Sequence, residues 1–359
     1  MAPQQLTPTI AELAQRIEAD IRARGIKPGE PYMGTADTAR MLGVSTTAAN
    51  RALQLLAKRH VIIRRQRKGT FVAEPVQAAH GDQLQRVHLL VREDYLRREG
   101  LLNDGVVIGM QHELPGVDMQ LNFMRAPDAD EQVRALVDEA LASSVREGFL
   151  ATRSSLQTQR LLAGSGLPTV LLGSPHPSVA TLPWIDRDHY DIGRLLVEHV
   201  IQRGAQRILL MQRDRILPGD FELYDGVMDT LAALGFGVDA LTVRNLPDDA
   251  AAIGAAVESV MRKYEQPTAV IARSRPMADA ALEAVEAMGR QLGEDVQITA
   301  TDVYLGRGSV APGYPYTQPA IDPETIGRHV GRLFEQASGG SAEGPNHEVI
   351  AVRLRLPEV

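Results

Sequence analysis

At 359 residues, with 44% hydrophobic and 23% charged side chains, the chain is long enough for two or three globular domains and excludes a largely disordered protein. It has no cysteine, which excludes a disulfide framework, a thiol nucleophile and a thiolate zinc site. The net charge of −7 is divided unevenly: residues 1–75 carry 12 Lys and Arg against 6 Asp and Glu, net +6, and the remainder carries −13, so only the first part suits a polyanion.

The opening MAPQQLTPTIAEL lacks the basic segment and apolar run of a secretory signal. No apolar run reaches the ~18 residues of a membrane helix, so a soluble cytoplasmic protein is expected. Thr7-Pro8 starts a first helix with a capping hydroxyl and a first-turn proline. Ile10, Leu13, Ile17 and Ile21 share one face of it, and Gly25 ends it. After the Pro28-Gly29 turn, Thr35 caps a short helix to Leu42, and Gly43 makes a tight turn. Ser45 caps the next helix, which buries Ala49, Ala52, Leu53 and Leu56. Its other face carries Thr46, Thr47, Asn50, Arg51 and Gln54, side chains of the kind that read base edges or bind phosphates in a major groove. Val61 to Arg65 reads as a strand, Gln66 to Gly69 as a turn and Thr70-Phe71-Val72 as the returning strand. Arg64, Arg65, Arg67 and Lys68 gather at this tip, and Phe71 is expected to anchor its base against the core. The order predicts a winged helix-turn-helix that binds double-stranded DNA.

Residues 1–75 resemble a GntR-family DNA-binding domain through Leu42-Gly43-Val44-Ser45, Asn50-Arg51-Ala52-Leu53 and Gly69-Thr70-Phe71-Val72. The resemblance implies base or phosphate contacts from Thr46, Thr47, Asn50 and Arg51, and wing contacts from Arg65, Lys68, Gly69 and Thr70. Thr35, Ser45, Arg64 and Arg67 complete the expected DNA-binding set. Met33 to Ala36 replace a Pro-Ser-Glu-Arg type of segment, Thr46 replaces an arginine and Arg67 a wing glycine, which implies an operator outside the common family pattern.

Residues 76–85 read as a linker, since the stretch from Glu74 to Asp82 has no periodicity and contains Pro75 and Gly81. Beyond it, candidate strands at 88–91, 119–123, 148–151, 169–172, 207–211, 242–244, 269–272 and 297–300 alternate with amphipathic stretches at 129–143, 189–202, 221–234, 249–263 and 277–288. This predicts an α/β body, residues 86–359, of doubly wound parallel sheets in two lobes.

The body resembles the periplasmic-binding-protein-like effector domain of the lactose-repressor family. The matching pieces, in order, are Leu167 to Leu172, Trp184-Ile185-Asp186, Ile192 to His199, Gly204 to Ile208, Asp225-Gly226, Pro267 to Ala272, Glu294-Asp295-Val296 with Asp302, and Ile326-Gly327-Arg328. A GntR-type head on such a body resembles the arabinose-repressor-like arrangement. It implies a homodimeric transcription regulator with a small-molecule effector, a sugar, sugar acid or sugar phosphate, between the lobes. Counting from strand ends offers Asp94, Tyr95, Arg125, Arg153, Trp184, Asp186, Arg213, Phe221, Tyr224, Ser274, Arg275 and Asp302 as effector-binding candidates, with Ser154, His176, Glu222 and Tyr304 nearby. Ser274-Arg275 stands where the family has Asn-Asp, and Leu223 where it has an arginine. Arg153, Arg213 and Arg275 suit a carboxylate or phosphate. No cofactor or metal is expected: the histidines lack ligand spacing, and Gly306-Arg307-Gly308 does not open a helix. Two other readings stay open, an enzyme body with a regulatory head and a dimeric DNA binder without a ligand.

Overall fold

Helical spacing of Leu13, Ala14, Ile17 and Ile21 does bury them, on α1 (Ile10–Ala23). The computed structural model describes residues 10–27, 29–58, 61–65, 69–72, 83–93, 104–179, 181–247, 249–264, 268–301, 303, 310–339 and 346–357. The Thr7-Pro8 helix start and most of the expected linker lie outside them. Two compact units divide the chain, Met1–Gly81 and Asp82–Val359.

In the first unit, β1 (Pro31–Tyr32) and α2 (Thr35–Leu42) follow α1. Gly34, not Thr35, is the cap residue of α2, and it supplies no side-chain bond. Gly43 sits at φ 68°, where its N–H closes the helix on the carbonyls of Ala39 and Arg40. Ser45 caps α3 (Thr46–Lys58), its Oγ accepting from Ala48 N at 3.2 Å. The stripe Ala49, Ala52, Leu53 and Leu56 is fully buried against α1 and Leu42. β2 (Ile62–Arg65) pairs antiparallel with β3 (Gly69–Val72), and β3 with β1. Phe71 does not enter the core. Alternation turns its neighbours Thr70 and Val72 inward and leaves Phe71 half-buried.

The second unit has two parallel sheets. The first lobe runs β4 (Arg86–Arg92), α4 (Asp104–Glu113), β5 (Asp118–Met124), α5 (Ala129–Ala142), β6 (Glu147–Thr152), α6 (Leu156–Ser165), β7 (Thr169–Leu172) and β8 (Trp184–Arg187). The chain then crosses into the second lobe: α7 (His189–Gln202), β9 (Arg207–Arg213), α8 (Pro218–Ala233), β10 (Leu241–Leu246), α9 (Ala250–Lys263), β11 (Thr268–Ala272), α10 (Arg275–Ala287), β12 (Val296–Ala300) and β13 (Tyr316–Pro319). It returns as α11 (Pro323–Gly339) and β14 (His347–Ile350) on the first lobe and ends as β15 (Val352–Arg355) on the second.

Strand orders are β14-β8-β7-β6-β4-β5 and β10-β9-β11-β12-β13-β15, all parallel except β13 with β15. Both contain the doubly wound order 2-1-3-4-5, which leaves a topological switch point at the carboxyl ends of β4/β6 and of β9/β11. Three crossings join the lobes, and they are tied together where Asp188 N donates to Ile350 O (2.9 Å) and Ala320 N to Ala351 O (2.8 Å).

The expected strands and helices of the body are present within a few residues. β8, β13, β14 and β15, and helices α4 and α6, carry too little periodicity or too short a run to be read from sequence alone; α11 is not among the expected helices although Ile326, Val330, Leu333 and Phe334 mark a buried face at helical spacing.

Candidate functional site

The first unit places Thr46, Thr47, Arg51 and Gln54 on the exposed side of α3, opposite its buried stripe. Arg64 on β2 reaches two other expected contact residues. It donates through Nη1 to Asn50 Oδ1 at 2.7 Å and through Nη2 to Thr35 Oγ1 at 3.2 Å. Three separate elements are thereby joined on one surface. Gly69 adopts φ 105°, a conformation that favours glycine at the hairpin end. Thr70, expected to touch DNA, is only 4% exposed, because its position in the register faces it inward. Arg67 and Lys68 lie outside the described residues, as does the side chain of Arg65.

In the second unit the carboxyl strand ends of both lobes meet around a buried polar chain. Asp186, near the end of β8, has its Oδ2 bonded by Ser174 N (2.7 Å), Ser174 Oγ (2.8 Å) and His189 Nε2 (3.1 Å), while its Oδ1 accepts from Arg187 N (2.8 Å). Burial opposes ionisation of Asp186, but the charge and hydrogen bond of His189, with Arg187 and Ser174, outweigh it and hold the carboxyl well below the usual range. A carboxylate only accepts, so His189 Nε2 carries the proton. Its Nδ1 lies 3.4 Å from Arg273 Nη2. Arg273 continues the chain, bonding Asp220 through Nε and Thr301 Oγ1 through Nη1 at 2.9 Å. Asp220 also accepts from Leu217 N at 2.8 Å. Burial again disfavours its charge, and Arg273 with the Leu217 amide overcomes that and lowers its pKa. Both members of the Arg273–Asp220 pair are almost wholly buried.

Glu222, just past the first turn of α8, faces this chain from the second lobe. Although the residue keeps contact with solvent, the protein around its carboxyl and the negative charge of Asp186 push its pKa up, against the opposing pull of His189 and a bond to Ser174.

Several expected effector residues are thus already engaged. Asp186 has four protein donors, and Ser274 is the buried N-cap of α10, accepting from Met277 N. Trp184 is a correction: it stands at the amino end of β8, away from the strand carboxyl ends, stacked on His347 with ring centroids 4.9 Å apart. Arg125 follows β5 and pairs with Glu93 at 2.9 Å, and Arg275 lies 3.5 Å from Asp279. Arg153 follows β6 in a left-handed conformation, φ 45°, and Arg213 ends β9, both beside the switch points. Phe221 and Tyr224 are exposed on α8. Asp94, Tyr95, Asp302 and Tyr304 lie outside the described residues. The organising residues Ser174, His189, Asp220, Arg273 and Thr301 escaped the sequence reading. Only Arg273, a charge directly following an apolar strand, offered a signal. Among the described residues no group of His, Asp and Glu has a metal-binding arrangement, and no helix is long and apolar enough to cross a membrane.

Residues 103–338, about two-thirds of the chain, match the family described as periplasmic binding proteins and sugar binding domain of LacI family. The chain belongs to that family. Residues 9–72 match the bacterial regulatory proteins of the gntR family, so this LacI-family chain carries a GntR head. The HTH-type transcriptional regulator CelR of Thermobifida fusca is 27% identical over 204 residues, 55% of this chain and 58% of that protein. The HTH-type transcriptional regulator AglR of Rhizobium meliloti (strain 1021) is 26% identical over 195 residues, 53% of this chain and 54% of that one. The chain spans a little over half the length of these relatives. A solved structure described as a transcriptional regulator CelR–cellobiose complex superposes with a TM-score of 0.66 at 21% identity, covering 98% of this chain and 99% of that chain.

The LacI-family body explains the ordered glycines. Gly193 and Gly226 lie where α7 and α8 cross, and a Cβ on Gly226 would stand 2.1 Å from Tyr190 O. Gly109 and Gly327 do the same for α4 and α11, where a Cβ on Gly327 would stand 2.1 Å from Val106 O. Leu223, at the family's arginine position, is buried in the second-lobe core beside Val227, so the position serves packing here.

Proposed function

We propose that this chain is a DNA-binding transcription regulator, acting as a repressor, whose operator affinity is set by a small molecule held between the two lobes of its body. The observation that carries the reading is the pairing of a capped, polar-faced recognition helix and basic hairpin with a LacI-family body whose strand carboxyl ends converge on one polar chain. The relatives named above are transcriptional regulators, which favours a sensor over an enzyme. A sugar is the first effector to test, since the superposing regulator is in complex with cellobiose; sugar acids and sugar phosphates follow, because Arg153, Arg213 and Arg275 stand at strand ends.

A homodimer is the working state, for paired heads read two half-sites where one winged helix covers little DNA. Edge strand β5 supports this, as its alternate residues Leu121 and Phe123 are 39% and 40% exposed on one face. The effector shifts DNA affinity only by its different affinity for the two lobe arrangements.

Fluorescence anisotropy of the full chain on duplexes selected from a random pool tests the reading, with and without each compound. Retention of a selected duplex and its change by one compound class are expected. Failure to retain any duplex at low salt would overturn the regulator reading, and retention unaltered by every compound would leave a ligand-independent DNA binder in its place.

A further inference from the structure

Arg64 occupies an unusual place for a cation. Its guanidinium lies against Thr35, the first residue of α2, where the helix dipole disfavours positive charge. Its hydrogen bonds account for the placement. Arginine has donors only, so the Asn50 atom that meets Nη1 at 2.7 Å is the amide oxygen. The amide nitrogen of Asn50 is then turned away from Arg64, and no described residue takes a hydrogen from it. Thr35, held by Nη2, keeps the guanidinium from swinging off with the wing strand.

We propose that Arg64 is a positioning residue that sets base specificity through Asn50. The inference rests on reading the first unit as a DNA reader, and it specifies what that reader presents. An asparagine that recognises adenine needs both ends of its amide, the oxygen for the N6 amino group and the nitrogen for N7. Arg64 holds one lone pair of the Asn50 oxygen and turns that oxygen toward β2, so Asn50 meets the base edge chiefly through its amide donors. A donor fits the major-groove edge of guanine, where N7 and O6 are both acceptors, better than that of adenine. The base pair under Asn50 is therefore G·C, read from its guanine, and Arg64 contributes to that choice without touching the base.

Selection of bound sequences from a randomised duplex pool, with the full chain and its variants, tests this. Wild type enriches guanine at one position in each half-site. Asn50→Ala and Arg64→Ala each lower discrimination at that same position about tenfold, and the double variant loses no more than either alone. Arg64→Lys keeps the charge, so it weakens binding to random duplex less than Arg64→Ala does. Its single ammonium does not bridge Asn50 and Thr35, so the guanine enrichment falls. Asn50→Asp, an acceptor only, moves the preference to cytosine, whose N4 amino group donates. The proposal is overturned if Arg64→Ala leaves the guanine enrichment intact, if the two alanine variants alter different positions, or if the base that depends on Asn50 is adenine. Wild type that retains no duplex at all overturns the DNA reading itself, an outcome distinct from retention with the wrong dependence.

Discussion

Arg273 and Asp220 form a buried ion pair whose members are 5% and 1% exposed, and each oxygen or nitrogen of the pair that faces inward has a partner. Such a pair adds little over a well-packed apolar pair, but removing one member strands the other charge. Arg273→Ala is expected to destabilise the body by about 3–5 kcal/mol, measured by urea unfolding, and a loss below about 1 kcal/mol would show that water reaches Asp220. The carboxyls also set a pH dependence with two signs. Asp186 and Asp220 have lowered pKa values when folded, so their contribution is present above the unfolded carboxylate range, near about 4, and is lost as the pH falls through their folded values. Glu222 has a raised value, so its contribution is present under acid and lost as the pH rises through the folded value. Glu222→Gln should therefore raise the melting temperature near about pH 7 and leave it unchanged near about pH 4, where the acid is already protonated. An equal effect at both values would show that the carboxyl is not perturbed as its surroundings imply.

At the scale of elements, each lobe is held by one helix pair in close approach, α7 on α8 and α4 on α11. Glycine is required there because backbone carbonyls occupy the space of a side chain, with Tyr190 O only 2.1 Å from a Cβ on Gly226. Alanine would gain about 1 kcal/mol of helix propensity, while forcing two packed helices apart costs about 3 kcal/mol. Gly226→Ala is thus expected to lose about 2 kcal/mol net, read as a lower unfolding midpoint with little change in slope. A gain in stability would mean that the pair separates freely. Gly193, Gly226 and Gly327 were visible in the sequence as part of a family pattern and Gly109 was not, but the reason for none of them was, because the close approach joins helices far apart in the chain.

For the whole molecule, charge separates the roles. The first 75 residues are net +6 and the rest −13, so under the proposed function the head supplies the attraction to DNA and the charge of the body opposes it. Replacing both Arg65 and Lys68 with alanine should weaken binding to selected and random duplexes alike. It should also reduce the slope of log affinity against log salt by about 2 for each head, about 4 for the homodimer, measured by anisotropy across a salt series. An unchanged slope would remove the two residues from the phosphate contacts.

Residues carrying their own local signal were legible without the fold. Ser45 as a cap, Gly43 as a left-handed turn, and the buried face of α3 each depend on neighbours within a few positions, as does the alternation of apolar strands and helices that makes the body α/β. The GntR and LacI-family resemblances rest on such local pieces too. What tertiary structure alone decided is which polar groups at the strand ends are already bound. Asp220 meets Arg273 across 53 positions and Arg273 meets His189 across 84. Trp184 falls at the wrong end of its strand, Ser274 closes a helix, and Asp186 is surrounded by donors. A sequence displays a side chain's capacity to bond, whereas its partner is chosen by long-range packing, which no local pattern encodes.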